Sequence, residues 1–164
     1  MANNSYEKIF PRTTKYIGKL ADYLYKDVLL YCESDNINKL KGADITSKKF
    51  QIPIKGEILL DYKSHIVRSR GAKSYLDSSI VVGNLNNEIL FIPTGNKLVS
   101  LIKHIRNAYA HNLVIIDVND AKYVIIADFL THKNGVDFTK PTMLGRLSID
   151  NLKFLIEQVK SLSK

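Results

Sequence analysis

The segment LVSLIKHIRNAYAHN, Leu98–Asn112, presents two opposite faces when it is wound into a helix. At 100° per residue, with Arg106 at zero, Lys103, Asn107, His111 and His104 fall between roughly 60° and 160°. Leu101, Ile105, Tyr109 and Ile102 fall between roughly 220° and 320°, on the other side. One face is apolar. The other carries a guanidinium, an amide and two imidazoles. Asn107 and His111 stand four residues apart, close enough on a helix to share a ligand or a hydrogen bond. An Arg, the Asn beside it and a His five residues on form a compact set for handling a phosphodiester.

Punctuation on both sides supports this helix. Pro93, Thr94, Gly95 and Asn96 interrupt the chain before it, and Asn96 or Thr94 is the expected N-cap. Asn112 suits a left-handed helix stop. After it the hydrophobic period changes from helical to strand. Leu113–Val118 and Lys122–Phe129 read as two strands joined by Asn119, Asp120 and Ala121, and Thr142–Leu147 as a third after a turn at Gly135. Ser148 or Asp150 caps a closing helix with the stripe Leu152, Leu155, Ile156, Val159 and Leu162.

Ahead of the segment, Thr13 or Thr14 caps an expected helix reaching to about Tyr31. Its apolar positions Ile17, Leu20, Leu24, Val28 and Tyr31 step by three or four. Ser34, Asp35 and Asn36 break it, and Asn38–Lys41 adds one helical turn before Gly42. Phe50, Ile52 and Ile54 suggest a short extended piece that Pro53 confines to a sheet edge. Gly56–Arg70 is expected to be a helix with Ile58, Leu59, Tyr62 and Ile66 on one side. Arg68 and Arg70 then fall at its C-terminal end, where the dipole favours cations. Ser78–Val82 and Ile89–Ile92 are β-like, turning through Asn84–Asn87.

Composition bounds the rest. The 164 residues make one expected domain, 1–164, with 45% hydrophobic and 24% charged side chains, ordinary for a soluble globular chain. The polar start, MANNSYEK, lacks a signal peptide's apolar run, and no run approaches the length of a membrane span. A cytoplasmic location is the expectation. Cys32 is the only cysteine, which rules out an intramolecular disulfide and a cysteine-rich metal site. No carboxylate–histidine cluster reads as a metal site either, and no cofactor is expected. The net charge is +8, and between Lys39 and Lys73 nine basic side chains stand against three acidic ones. Such a concentration attracts polyanions, nucleic acid first, although a solvated lysine-rich surface gives the same count.

Arg106-Asn107-Ala108-Tyr109-Ala110-His111 resembles the R-N-x-x-x-H signature of HEPN domains, helical bundles found in prokaryotic defence, toxin–antitoxin and RNA-processing systems. The specific match covers about Lys97–Asn112; elsewhere the layout alone agrees, with a β-rich segment and a closing helix after the motif. The resemblance implies an α+β fold, mainly helical: a HEPN-like bundle with a small antiparallel sheet or hairpin behind the motif helix. It implies a metal-independent endoribonuclease, formed by two chains whose motif helices lie side by side across a positive cleft.

By the same resemblance, His111 is the general acid or base. Arg106 neutralises charge on the phosphoryl oxygens, and Asn107 orients His111 or donates to the phosphate. Products are a 2′,3′-cyclic phosphate and a 5′-hydroxyl. The expected partners are RNA, a second copy of the chain, and an antitoxin or other regulator that restrains a toxic nuclease. Around this set, Lys103, His104, Arg68 and Arg70 are candidate substrate contacts. His65 and His132 read as surface residues, and Tyr109 as packing. One position departs from the pattern. HEPN toxins silenced by nucleotidylation carry a tyrosine two residues after the histidine, and Leu113 stands there, against a pairing with a nucleotidyltransferase antitoxin. The alternative function is a non-catalytic HEPN-like dimerisation or RNA-binding module.

Overall fold

The computed structural model describes residues 17–42, 85–133 and 135–163, with Phe10, Leu76 and the residue pairs 52–53, 59–60 and 67–68. The chain is α+β. α1 (Lys19–Leu24) continues through a π-helical segment, Tyr25–Leu29, into α2 (Leu30–Glu33), and a 3₁₀ helix follows over Asp35–Gly42. Short strands β1 (Ile52–Pro53), β2 (Leu59–Leu60) and β3 (Val67–Arg68) precede β4 (Glu88–Phe91). The motif helix is α3 (Lys97–Ala110). β5 (Val114–Ile116), β6 (Tyr123–His132), β7 (Gly135–Ser148) and α4 (Ile149–Ser161) complete the order.

The first helical stripe is where the periodicity puts it. Leu20, Leu24, Val28 and Tyr31 are all buried, and Ile17 packs against the same core. Gly18, at φ +60°, occupies the N-cap of α1. The expected caps Thr13 and Thr14 lie outside the described residues, as do Ser78–Val82.

The antiparallel sheet expected behind α3 is present and larger than expected. Its order is β3-β4-β7-β6-β5, so β4, from ahead of the helix, inserts beside β7. All pairings are antiparallel except β3 with β4, which run parallel. β6 and β7 extend past the expected strands into a long hairpin in which His132 faces Gly135. A side chain at Gly145, between Ile89 and Ile126, would bring its Cβ to 3.0 Å from Ile89 and 3.1 Å from Ile126.

The helix expected over Gly56–Arg70 is not formed at the described positions. Leu59–Leu60 pairs with Ile52–Pro53 in a separate two-stranded sheet, and Val67–Arg68 pairs with Ile89–Leu90. Apolar residues at three- and four-residue spacing fit short strands as well as a helix, and an available sheet edge decides between them. Arg68 is therefore a strand residue, and the helix-dipole account of it falls. Arg70 lies outside the described residues.

α3 packs on β6, and on its outer side meets the π-helical segment, α2 and the 3₁₀ helix. Leu98, Leu101, Ile102, Ile105 and Ala108 are fully buried at this junction. Asn96 is the N-cap: its Oδ1 accepts from the N–H groups of Leu98 and Val99, both at 3.0 Å. At the other end Asn112 is left-handed, φ +59°, and the Leu113 N–H closes back on the Ala108 carbonyl at 2.7 Å. α4 is capped by Ser148, whose Oγ accepts from the Asn151 N–H. Among the described residues no helix is long and apolar enough to cross a membrane.

Strand alternation puts Arg146 on the sheet face opposite α3. There its Nε donates to Asp117 Oδ2 at 2.6 Å, and its guanidinium lies 4.0 Å from the centre of the Tyr123 ring. Burial pushes the Asp117 carboxyl up. The Asn119 N–H and the Arg146 charge outweigh it and hold the carboxyl below the ordinary range.

Two stability predictions follow from these contacts. Asn96→Ala removes the acceptor of two N–H groups, and its expected cost is about 1 kcal/mol in urea denaturation. Asp117 is depressed in the folded state, so its contribution is complete above its unfolded pKa of about 3.9 and disappears as pH falls through the lower folded value. Asp117→Asn should therefore flatten the acid limb of a stability-versus-pH curve below pH about 4.

Candidate functional site

The polar face of α3 is held by a carboxylate that comes from the sheet. Asp128 lies near the middle of β6, at the end of a run in which Val124 to Phe129 are all buried. The β6–β7 register slips between Asp128 and Phe129 and again before Thr131. Irregularities of this kind re-aim side chains, and here they accompany a carboxylate turned towards a helix. Its side chain is only 5% exposed. A charge so placed needs partners, and α3 supplies them.

His104 Nδ1 lies 2.7 Å from Asp128 Oδ2, and Asn107 Nδ2 donates to the same oxygen at 3.3 Å. The other carboxylate oxygen accepts the Phe129 N–H at 3.0 Å. His104 Nε2 lies 2.9 Å from the Ile92 carbonyl oxygen, just beyond β4. Both ring nitrogens thus face acceptors. A neutral imidazole has one N–H for the two; only the imidazolium donates to both. The ring edge also meets Phe91, 6.1 Å between centroids.

Asn107 passes the order outward. With its amide nitrogen on Asp128, its Oδ1 faces away and accepts from Arg106 Nη1 at 3.3 Å. The rest of the guanidinium turns to α2: Nε and Nη2 donate to Glu33 Oε1 at 3.2 and 2.7 Å. Five side chains from three elements form one chain of contacts, buried at Asp128 and open to solvent at Glu33.

His111 lies at the C-terminal end of α3. It is the C-cap of α3, its backbone N–H donates to the Asn107 carbonyl, and its ring is exposed. The Asn107 amide is engaged by Asp128 and Arg106, so in this arrangement it orients Arg106 rather than His111. Lys103 is exposed on the same helix. His104 is half-buried, with both ring nitrogens on Asp128 and the Ile92 carbonyl. Arg68 lies on β3, at the sheet's edge.

Two members of the network have no counterpart in the sequence reading. Asp128 carried a signal, since a lone carboxylate inside the apolar run Tyr123–Leu130 demands buried partners. Glu33 carried none; one exposed Glu at a helix end reads as surface.

Cys32, between Glu33 and the apolar side of α3, is not a nucleophile. Its Sγ lies 3.8 Å from the Ile102 carbonyl oxygen, and burial pushes the thiol up to about 12, with Arg106 opposing. Among the described residues no three His, Cys, Asp or Glu side chains converge on a metal position.

The arrangement offers a guanidinium held on a half-exposed helix face and, five residues on at the end of the same helix, an exposed imidazole. Together they can neutralise a phosphoryl group and move a proton beside it. No family model, curated protein or solved structure matches the chain.

Removing the buried carboxylate leaves His104 Nδ1 and the Asn107 amide without their partner. Asp128→Ala is expected to cost about 1–3 kcal/mol in denaturant unfolding, the range for buried polar groups left unpaired. His104→Ala combined with Asp128→Ala should cost clearly less than the two single losses added, because the pair is one unit.

Proposed function

We propose that this chain is a metal-independent endoribonuclease of the HEPN type, acting as a homodimer. The observation that carries the reading is the division of labour on α3: Arg106 is oriented from beneath through Asn107 and Asp128, while His111 leaves its imidazole in solvent. In this reading the motif R-N-x-x-x-H is a working site and not a helix surface that happens to spell it.

The chemistry is a transesterification. His111 takes the proton of a ribose 2′-hydroxyl, and the 2′-oxygen attacks the adjacent phosphorus. Arg106 faces the charge that builds on the phosphoryl oxygens. The bond from phosphorus to the 5′-oxygen breaks, and the leaving oxygen takes a proton from a second imidazole, supplied by the other copy. A 2′,3′-cyclic phosphate and a 5′-hydroxyl remain. The charge of +8 suits a polyanionic substrate. A cytoplasmic role in phage defence or a toxin–antitoxin pair, under a restraining partner protein, fits such an activity.

A second reading has its own observation. Arg106 is already paired with Glu33, as in a module that has kept the helix and given up catalysis. That reading gives salt-sensitive RNA binding without cleavage.

The deciding experiment incubates wild type, His111→Ala and Arg106→Ala with labelled RNA in EDTA and identifies the product ends. The nuclease reading expects cyclic-phosphate ends from wild type and a loss of at least about 100-fold in each variant. Equal cleavage by wild type and His111→Ala overturns the assignment. RNA binding with no cleavage in any of them moves the second reading ahead.

A further inference from the structure

If Arg106 receives a phosphodiester, as the reading above has it, Glu33 stands in its way. The Nε and Nη2 donors of Arg106 form the edge of the guanidinium that suits a phosphoryl oxygen, and both point at one carboxylate oxygen, Glu33 Oε1. The chain has placed an anion of its own where a phosphate oxygen would sit. Glu33 is not the guanidinium's sole holder: Nη1 is held from the other side by Asn107, itself held by Asp128. The two carboxylates of the network also differ sharply in burial. Asp128 is a buried strut, 5% exposed, whereas the Glu33 side chain is 58% exposed and that of Arg106 32%. Exposed ion pairs are weak and screened by salt, so this one opens readily.

We propose that Glu33 is a specificity-determining residue: an internal anion that occupies the phosphate position at Arg106 until a substrate phosphate displaces it. A single phosphate gains little by exchanging places with a carboxylate. A strand held at the same time by other contacts makes the exchange intramolecularly, at high effective concentration. Glu33 thereby weakens the site for mononucleotides and inorganic phosphate relative to an extended strand.

The test follows the Arg106 Nε–H resonance by NMR during titration with inorganic phosphate, and in parallel measures binding of an uncleavable 2′-O-methyl RNA. Wild type is compared with Glu33→Gln, Glu33→Ala and Asp35→Asn. Asp35 is exposed and two residues along, so its variant removes the same charge without touching Arg106. Both Glu33 variants should bind phosphate about threefold to fivefold tighter, the size expected for an exposed pair. Asp35→Asn should show no such gain. RNA binding should tighten less than phosphate binding in the Glu33 variants, and not at all when they are combined with Arg106→Ala. Because Glu33 is exposed its variants should fold, and melting curves check this. Unchanged or weaker phosphate binding at Arg106 in both Glu33 variants overturns the proposal, as does an equal gain in Asp35→Asn. Tighter phosphate with no RNA bound or cut by any variant upholds Glu33 as the competing anion and removes the nuclease reading instead.

Discussion

The Asp128 carboxylate is the constraint on which the polar side of α3 depends. It projects from an otherwise apolar strand, and an unpaired charge at that depth would cost several kcal/mol. His104 and Asn107 meet that demand from successive turns of one helix. Their doing so fixes the rotation of α3 over the sheet. With the rotation fixed, Leu101, Ile102 and Ile105 fall into the core and Arg106 falls at its rim. The apolar stripe alone would leave the helix some freedom to roll. The hydrogen-bonded carboxylate does not.

Order declines along the network from inside to outside. Asp128 is buried, His104, Asn107 and Arg106 are half-buried, and Glu33 and His111 face solvent. Such a gradient suits a site that must hold a cation in place and still admit a bulky anion. It also separates functions that the motif lists side by side. Asn107 is taken up by Asp128 and the guanidinium, and the His111 side chain stands outside these contacts.

Much of this was legible in the sequence, for reasons that vary by residue. The bounds of α3, its Asn96 cap and its Asn112 stop depend on local chemistry, and local chemistry is written in neighbouring letters. The hairpin from β5 to β6 and the Ser148 cap belong to the same class. Val67–Arg68 is not legible as a strand because its state depends on a distant partner, Ile89–Leu90, and no local period reports an available sheet edge; Leu59–Leu60 pairs locally with Ile52–Pro53, and its apolar spacing fits a helix equally well. Within the site, the motif gave Arg106, Asn107 and His111 but not the partners that set their roles. Asp128 lies 21 residues from Asn107 in sequence and Glu33 73 from Arg106, and each meets its partner only once the layers have packed.

The π-helical turn at Tyr25–Leu29 has a consequence for the Glu33 contact. A π turn houses one residue more than the α-helical ladder needs, and absorbing that extra residue shifts everything after it by about 100° around the helix axis. Leu20 and Leu24 precede the shift and Glu33 follows it. The phase between Leu20 and Leu24, ahead of the turn, and Tyr31 and Glu33, behind it, therefore includes this offset. A chain lacking that residue would keep the early stripe in the core and swing position 33 away from Arg106. The length of this segment, more than the identity of any side chain in it, decides whether the guanidinium has a carboxylate opposite.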